Sequence, residues 1–387
     1  MTVGSSANRA GASLPNDSPR IDELAAAHLR TLAREPRPTG SHAAGDARRY
    51  CAGVLSSLGF ANTELPFQYS AAVGELGTPA AGVAALVFVS GARAAALGNR
   101  PAAAVVLLVG GALLLALAGS WAARRGVLAL AARRRSGVNL EARRPGVAPV
   151  VWLVAHIDSK SQPISLVVRA AGIVVLTLAW IAALVLAVAE ATRGSLASDA
   201  WLWVLVAAVI GAVPVIASTV GRRSPGAIDN ASGVATVLAA AAMSTHLPIG
   251  VLITDAEELG LAGARAWCAA AAEARAPVIN CDGIDDSGTL ALMWTRPRAA
   301  LLEQAVRDAA RMAREPLRVI PLIPGVLVDG LAFSDAGWQV VTLSRGSAGT
   351  LRRIHTRRDD LAHVRGTGVA ATARVLTRAM TIIAEQR

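Results

Sequence analysis

The sequence predicts an α/β fold in which helices sandwich a mostly parallel, mixed sheet, and into which two transmembrane helical hairpins are inserted. In the polar parts of the chain, apolar runs of strand length alternate with segments of helical periodicity, which is typical of a sheet covered on both faces. Four longer apolar segments occur in two pairs, and each pair could cross a bilayer and return. Of the 387 residues, 53% are hydrophobic and 17% are charged, which suits a chain divided between membrane and water.

The net charge of +11 could indicate nucleic-acid binding, but the distribution of the arginines favours a lipid partner. Basic residues cluster beside the apolar segments, as in the cytoplasmic loops of membrane proteins. These residues are Arg124, Arg125, Arg133 to Arg135, Arg143, Arg144, Arg222 and Arg223. No nucleic-acid motif competes with this interpretation, so we expect the bilayer and not nucleic acid as a partner. Three cysteines lie far apart without a CxxC pair, which indicates free thiols in a reducing compartment.

The chain begins with a Ser/Gly/Asn/Pro-rich stretch, residues 1–20, that we expect to be disordered and that has no apolar core of a signal peptide. From Ile21, "IDELAAAHLRTLA" has helical periodicity. "AAGDARRYCAGVLSSLGF" predicts a second helix that ends at Gly59, and "ANTELPFQYS" predicts a strand.

Four long apolar segments are the candidates for membrane-spanning helices. They are Thr78–Leu97, Pro101–Trp121, Ile164–Ala189 and Trp201–Val220. Each is close to the ~20 residues that cross a hydrocarbon layer of ~30 Å. The alternative is that they are buried helices of a globular core, and it applies best to the first segment because Arg93 interrupts it.

The polar part between and after the pairs predicts further strands and helices in alternation. "SGVNLEARRPGVAPVVWLVAHIDS" predicts strand, turn and strand. Three more strands are predicted in "IGVLITDAEE", "APVINCDGID" and "QVVTLS", and helices in "SGVATVLAAAAMSTHL", "LGLAGARAWCAAAAEA", "PRAALLEQAVRDAARMA" and from about 366 to 385.

Histidines and carboxylates occur where these predicted strands end. They are His156 and Asp158 after "VVWLVA", Asp229 in "GAIDNASG", Glu257 and Glu258 after "VLITDA", Asp282 after "VINC", and His355 in "RRIHTRRDD". Taken singly, each has an ordinary explanation as a helix cap or a surface residue. Since the carboxyl ends of parallel strands meet at one edge of a sheet, the set predicts a site for zinc or a similar divalent ion.

The spacing of the paired polar residues suits such a site. A histidine that binds a metal usually has its second ring nitrogen held by a carboxylate, a role that Asp158 could take for His156. In the Glu257-Glu258 pair, one carboxylate can bind metal while its neighbour accepts a proton from water.

The order of these motifs resembles the co-catalytic di-zinc exopeptidase family, which includes bacterial leucyl aminopeptidases, glutamate carboxypeptidases, glutaminyl cyclases and the endoplasmic-reticulum metallopeptidase. The matching motifs are "RPTGS", "AHIDS", "GAIDNASG", "AEELGLAGA", "NCD", "VDGLAFSDAG" and "HTRRD". The resemblance implies two zinc ions per chain, a catalytic role for Glu257 as general base and then acid, and an orienting role for Asp158. It implies His156, Asp229 and Asp282 on one ion, and Asp229, Glu258 and His355 on the other.

The resemblance also implies a domain organisation. A zinc peptidase-like catalytic domain comprises residues 21–76, 136–163 and 221–387, and the hairpins comprise residues 77–122 and 164–220. The second hairpin accounts for the 73 residues between His156 and Asp229, where the family has a short connection. Three departures concern the chemistry: Arg357 replaces a proline, Gly330 stands where histidine is common, and neither Tyr50 nor Tyr69 lies where many relatives use a tyrosine to stabilise the intermediate.

The expected function is that of a membrane-anchored zinc exopeptidase, an aminopeptidase that hydrolyses N-terminal peptide bonds of a peptide or amino-acid amide with water activated by two metals. The alternatives are carboxypeptidase or glutaminyl cyclase chemistry at the same site, or a catalytically degenerate membrane scaffold. A polar N-terminal portion, two complete hairpins and the arginine clusters predict a bacterial-type plasma membrane location with the catalytic domain on the cytoplasmic face. The oligomeric state is left open.

Overall fold

A computed structural model of the chain describes residues 18–194, 198–271 and 275–386. Residues 1–17 of the predicted disordered stretch lie outside the described residues, and Ser18 already begins the first helix. In chain order the helices are α1 (Ser18–Leu32), α2 (His42–Ser57), α3 (Ala71–Leu97), α4 (Pro101–Trp121), α5 (Val127–Ala129), α6 (Leu166–Arg193), α7 (Ser198–Ile216), α8 (Gly233–Met243), α9 (Ala262–Ala270), α10 (Ala300–Ala313), α11 (Asp329–Asp335), α12 (Ala348–Arg353) and α13 (Thr367–Glu385).

Within the described ranges, eight strands form one mixed sheet in the order β1-β2-β4-β3-β5-β8-β6-β7. The strands are β1 (Ala61–Ser70), β2 (Arg134–Arg143), β3 (Val151–His156), β4 (Ile249–Thr254), β5 (Val278–Ile284), β6 (Thr289–Trp294), β7 (Leu317–Pro321) and β8 (Val340–Gly346). Neighbouring strands β4, β3, β5 and β8 run parallel, as do β6 and β7, whereas β1–β2, β2–β4 and β6–β8 pair antiparallel. The predicted α/β class with a sheet between helices is therefore confirmed.

The central strands are apolar throughout because both of their faces are covered. Every residue of β3 and of β4 is buried. Along β3, Leu153 packs into a large apolar cluster with α1, α8, α10 and α13, whereas Trp152 and Val154 pack on the opposite face against α9 and α11. This alternation is the period of two that a strand imposes on its side chains.

Four helices of the described residues, α3, α4 with its extension to Ala129, α6 and α7, are long and apolar enough to cross a membrane. They pack on one another through small residues such as Ala92, Ala104 and Ala183. Large apolar side chains on the outside of the bundle remain exposed, for example Leu117 at 70%. An exposed apolar surface of this kind suits lipid and not water.

Some predicted boundaries differ from the structure. Helix α3 begins at Ala71 and not at Thr78, because its first turn is helical but not continuously apolar, and hydropathy reports only the apolar part. The fourth apolar segment is helical only to Ile216, two residues after Pro214. Strands β6 and β7 and the short helices α11 and α12 were not predicted. Both strands are only partly buried, whereas every residue of β3 and β4 is buried, and β7 also contains an arginine and a proline that interrupt its apolar run.

Both hairpins leave the sheet and return to it at the edge where the parallel strands end. Because β1 runs antiparallel to β2 and β2 antiparallel to β4, the end of β1 and the start of β2 lie at the carboxyl edge of β3 and β4. Helix α3 follows β1 directly, and α6 follows the loop after β3. At the root of the second hairpin, Ser161 and Gly221 exchange backbone hydrogen bonds of 3.0 and 2.6 Å.

Candidate metal centre

The seven predicted site residues lie together at the carboxyl edge of the sheet. His156 is the last residue of β3, and Asp282 lies within β5. Glu257 and Glu258 form a 3₁₀ turn, Glu257–Leu259, after β4. Asp229 lies in the turn Ala227–Ser232 that leads into α8, and His355 follows α12. The folding of the sheet therefore brings together residues that are up to 199 positions apart, from His156 to His355.

The carboxylate of Asp229 lies between the two histidines. Its Oδ1 is 3.2 Å from His156 Nε2, and its Oδ2 is 2.9 Å from His355 Nε2. His156 Nε2 is also 3.7 Å from Asp282 Oδ1, and His355 Nε2 is 3.3 Å from Glu258 Oε2. We call His156, Asp229 and Asp282 the His156 group, and Asp229, Glu258 and His355 the His355 group. Asp229 belongs to both, which is the arrangement of a bridging ligand.

The residues fit a divalent metal. His156 Nε2 is completely buried and, among the described residues, meets no hydrogen-bond partner in suitable geometry, although three carboxylates face it. A buried lone pair without a partner is costly, and a cation among imidazole and carboxylate ligands removes that cost. Two clusters can each offer three ligand atoms within 4.8 Å of one another, His156 with Glu257 and Asp282, and Asp229 with Glu258 and His355.

Asp158 fixes the turn that carries the two glutamates. Its Oδ1 accepts a hydrogen bond of 3.1 Å from the backbone N–H of Glu257, and its Oδ2 accepts one of 3.2 Å from that of Glu258. Asp158 Oδ1 also lies 3.5 Å from His156 Nδ1. The same carboxylate thus contacts both His156 and the turn, and the flanking Ala256 adopts the left-handed conformation at φ +57° to make this turn possible.

The electrostatics of the buried centre separate the two glutamates. Burial raises the pKa of Glu257 well above its ordinary value, and His156 opposes this only in part. Burial also acts on Glu258, but the ammonium of Lys160, whose Nζ is 2.6 Å from Oε2, holds the pKa of Glu258 below its usual range. Burial acts on Asp229 as well, but the adjacent imidazoles of His156 and His355 outweigh it and hold the pKa of Asp229 well below normal. Of the two glutamates, Glu257 is therefore the one that more readily keeps a proton.

The comparisons with known proteins agree with this geometry. The model of "Peptidase family M28" matches residues 138–380, which is more than half of the chain and includes all seven site residues. The chain belongs to peptidase family M28. The resemblance to co-catalytic zinc exopeptidases is thereby confirmed, and the protein is a metallopeptidase-type hydrolase.

Solved structures share the fold of this M28 protein at low identity. An aminopeptidase from Aneurinibacillus sp. strain AM-1 superposes with a TM-score of 0.56 and 15% identity, over 94% of each chain. BSAP, a zinc aminopeptidase from Bacillus subtilis, gives 0.54 and 14% over 92% of this chain and 94% of that one. A glutaminyl cyclase from Bacteroides thetaiotaomicron gives 0.53 and 13% over 93% and 97%. A search of curated proteins by sequence finds no match.

Several residues that support the M28 site were not predicted as functional. The guanidinium of Arg37, in "RPTGS", is buried and donates to the backbone carbonyls of Ile157 (2.9 Å), Pro225 (2.7 Å) and Gly226 (3.0 Å). It thereby joins the end of β3 to the loop that precedes Asp229. The motif match was the available signal, but these carbonyls lie more than 100 residues away and no sequence pattern identifies them.

Two side chains hold the Asp229 turn itself. The carboxylate of Asp359, the last residue of "HTRRD", accepts hydrogen bonds from the backbone N–H groups of Ile228 (2.6 Å) and Asp229 (3.1 Å). Asn230 donates from Nδ2 to the carbonyl of Cys281 at 2.9 Å, beside Asp282. These contacts set the position of the Asp229 carboxylate relative to β5.

The three departures from the family pattern have structural counterparts. Gly330 approaches β8 so closely that a Cβ there would lie 2.4 Å from Thr342 Oγ1, which leaves no room for a larger residue in this backbone position. The hydroxyl of Tyr50 is engaged by His28 Nδ1 at 2.7 Å, and Tyr69 is fully buried at the end of β1. Arg357 is exposed in the loop after His355.

Proposed function

We propose that this M28 protein is a membrane-anchored zinc-dependent exopeptidase with two zinc ions, and that it acts as an aminopeptidase on the N-terminal bond of a peptide or aminoacyl amide. The observation that carries the proposal is the carboxylate of Asp229, which faces His156 on one side and His355 on the other. The aminopeptidases among the structural neighbours support the choice of substrate, and the zinc aminopeptidase BSAP supports the choice of metal. The four long apolar helices support the anchoring.

Metal held by the His156 group and the His355 group would supply polarisation of the scissile carbonyl and a lowered pKa of water. The chain supplies the ligands, their orientation and the proton transfer. Glu257 Oε2 lies 3.9 Å from His156 Nε2, beside the His156 group, and in the proposed mechanism it transfers the proton and does not bind metal. Because burial raises the pKa of Glu257, this carboxyl can accept a proton from the attacking water and return it to the leaving amine near neutral pH. Asp158 keeps Glu257 in place through the backbone N–H.

The test compares the full-length wild type in detergent with Glu257→Gln, measuring zinc content and the turnover of a panel of aminoacyl amides, N-blocked peptides and N-terminal glutaminyl peptides. We expect two zinc ions in both proteins, hydrolysis of free-amine substrates by the wild type, and a loss of about 10²–10⁴-fold in kcat for the variant, because Glu257 transfers the proton and is not needed to hold metal. Glu64→Gln, on the exposed strand β1, serves as the control.

Other outcomes would redirect the assignment. Turnover restricted to N-terminal glutaminyl substrates would favour the cyclase, and cleavage of a C-terminal residue would favour a carboxypeptidase. A wild type that is loaded with zinc and turns over none of the panel would favour the scaffold. One zinc ion per chain at saturation would contradict the proposed stoichiometry.

A further inference from the structure

A chain of hydrogen bonds joins the His355 group to a membrane-type helix. Arg169 lies in the first turn of α6 and donates from Nη1 to Gln162 Oε1 at 2.9 Å. The same oxygen of Gln162 lies 3.3 Å from His355 Nδ1. The backbone N–H of Gln162 also donates to the carbonyl of His355 at 2.8 Å. Gln162 is buried, at 9% exposure, so its contact with His355 is shielded from water, whereas its contact with Arg169 is half-buried.

The chemistry of Arg169 decides how Gln162 is oriented. An arginine side chain has only donors, so the atom of the Gln162 amide that faces it must be the oxygen and not the NH₂ group. That oxygen can only accept, and the ring atom beside it, His355 Nδ1, must therefore carry the hydrogen. The lone pair of the neutral ring is then on Nε2, which is the atom that faces Asp229 and Glu258.

The backbone around this chain of contacts is held from both sides. His355 adopts the left-handed conformation at φ +61°, which is costly for a residue other than glycine and has to be supported by its neighbours. The hydrogen bond from the Gln162 N–H to the backbone carbonyl of His355 provides such support. Gln162 in turn follows Ser161, whose backbone pairs with Gly221 at the root of the second hairpin.

We propose that Gln162 and Arg169 are positioning residues that hold His355 as its Nδ1–H tautomer, so that the affinity of the His355 group for metal depends on the first turn of a membrane helix. The proposal uses only one part of the proposed function, namely that a metal binds at this group. Without Arg169, the Gln162 amide is free to rotate and present its NH₂ to Nδ1, which favours the tautomer with hydrogen on Nε2 and removes the ligand. Partners of this kind affect metal affinity by about 10–100-fold.

The test is a zinc competition titration of the metal-free, full-length protein in detergent against a chelator of known affinity. We expect Gln162→Leu and Arg169→Ala each to weaken one of the zinc sites by about 10–100-fold. Gln162→Glu should retain wild-type affinity or exceed it, since a carboxylate accepts from Nδ1 and from Arg169 equally well. Arg193→Ala, at the exposed far end of the same helix, should change nothing.

Two further measurements separate positioning from packing. Gln162→Leu should cause no additional loss in a His355→Ala background, because the ligand that it positions is already absent. The thermal midpoints of the metal-free variants should match that of the wild type. Wild-type zinc affinity in Gln162→Leu, or an equal loss in Gln162→Glu and Gln162→Leu, would overturn the proposal. Absence of peptide turnover with the expected zinc affinities would contradict the exopeptidase and leave this proposal standing.

Discussion

At the scale of single residues, the buried carboxyl group of Asp329 makes the stability of the folded protein depend on pH. Asp329 lies at the start of α11, fully buried, and one of its oxygens accepts from the hydroxyl of Thr254. Burial raises its pKa from 3.8 to about 7. The folded protein therefore binds this proton more tightly than the unfolded chain does, and the stability that results is present at low pH and is lost as pH rises from about 4 through about 7.

We expect the metal-free Asp329→Asn variant to lose less stability than the metal-free wild type between about pH 5 and about pH 8, by on the order of 3 kcal/mol. An asparagine keeps the oxygen that accepts from Thr254 and cannot ionise. Thermal midpoints at the two pH values measure the difference. Asp308→Asn, on the exposed face of α10, is the matched control and should follow the wild type. Parallel pH profiles for wild type and Asp329→Asn would contradict the assigned shift.

The site residues that could be predicted are those whose role is indicated by their neighbours in the sequence. His156-Asp158 and Glu257-Glu258 stand at the ends of apolar runs, so both their type and their place in the sheet could be predicted. Gln162 and Arg37 could not be predicted as supports of the site, because their contacts, to His355 and to Gly226, are 193 and 189 residues away and depend on side-chain orientation.

At the scale of elements, α3 supports the turn that carries the two glutamates. Gly74, in its first turn, lies so close to the backbone of Leu259 that a Cβ would be 2.4 Å from the Leu259 Cα. Leu259 is the last residue of the Glu257–Leu259 turn. Because that atom belongs to the backbone, it cannot move without moving the turn.

We therefore expect Gly74→Ala to shift the turn and to lower kcat by about 10–100-fold, because small displacements of catalytic groups are costly. Gly77→Ala, one turn along the same helix, is the control, since the described residues leave open space around that position within 4 Å. Steady-state kinetics and thermal midpoints of both variants provide the measurement. Equal kcat in the two variants would show that contact between α3 and the turn does not affect catalysis.

Whether a strand could be predicted from the sequence depends on how completely it is buried in the sheet. Strands β3 and β4 are buried on both faces and carry unbroken apolar runs, so they could be recognised from sequence. Strand β7 lies at the free edge of the sheet with β6 beside it, and both are only partly buried, which weakens the sequence signal. Helix α3 begins seven residues before the predicted Thr78, because its first turns contain Glu75 and two glycines and so lack the continuous apolar run on which the prediction rests.

At the scale of the whole molecule, both hairpins return to the edge of the sheet from which they leave. Both pairs of apolar helices are therefore attached to the same edge of the sheet. We expect the sheet and the metal centre to lie on the cytoplasmic side, because arginines cluster at the roots of the hairpins, as at Arg124, Arg125, Arg222 and Arg223. A fluorescent protein fused after Arg387 should fluoresce, and alkaline phosphatase at the same position should be inactive.

The matched control for this topology is the same pair of reporters inserted after Asn99, between α3 and α4, where the opposite result is expected. Active phosphatase after Arg387 would contradict the predicted orientation. Identical results at the two positions would contradict a hairpin that crosses the membrane.

The place of β4 in the sheet also determines the order in which the protein can be assembled during translation. Strand β4 lies between β2 and β3, yet the ribosome makes it after both of them and after the whole second hairpin. Strands β2 and β3 therefore lack the neighbour that they share until α6 and α7 have been synthesised. Asp229, Glu258 and His355 also emerge after that point. Of the predicted metal ligands only His156 precedes α6, so the complete set of ligands exists only after both α6 and α7 have been synthesised.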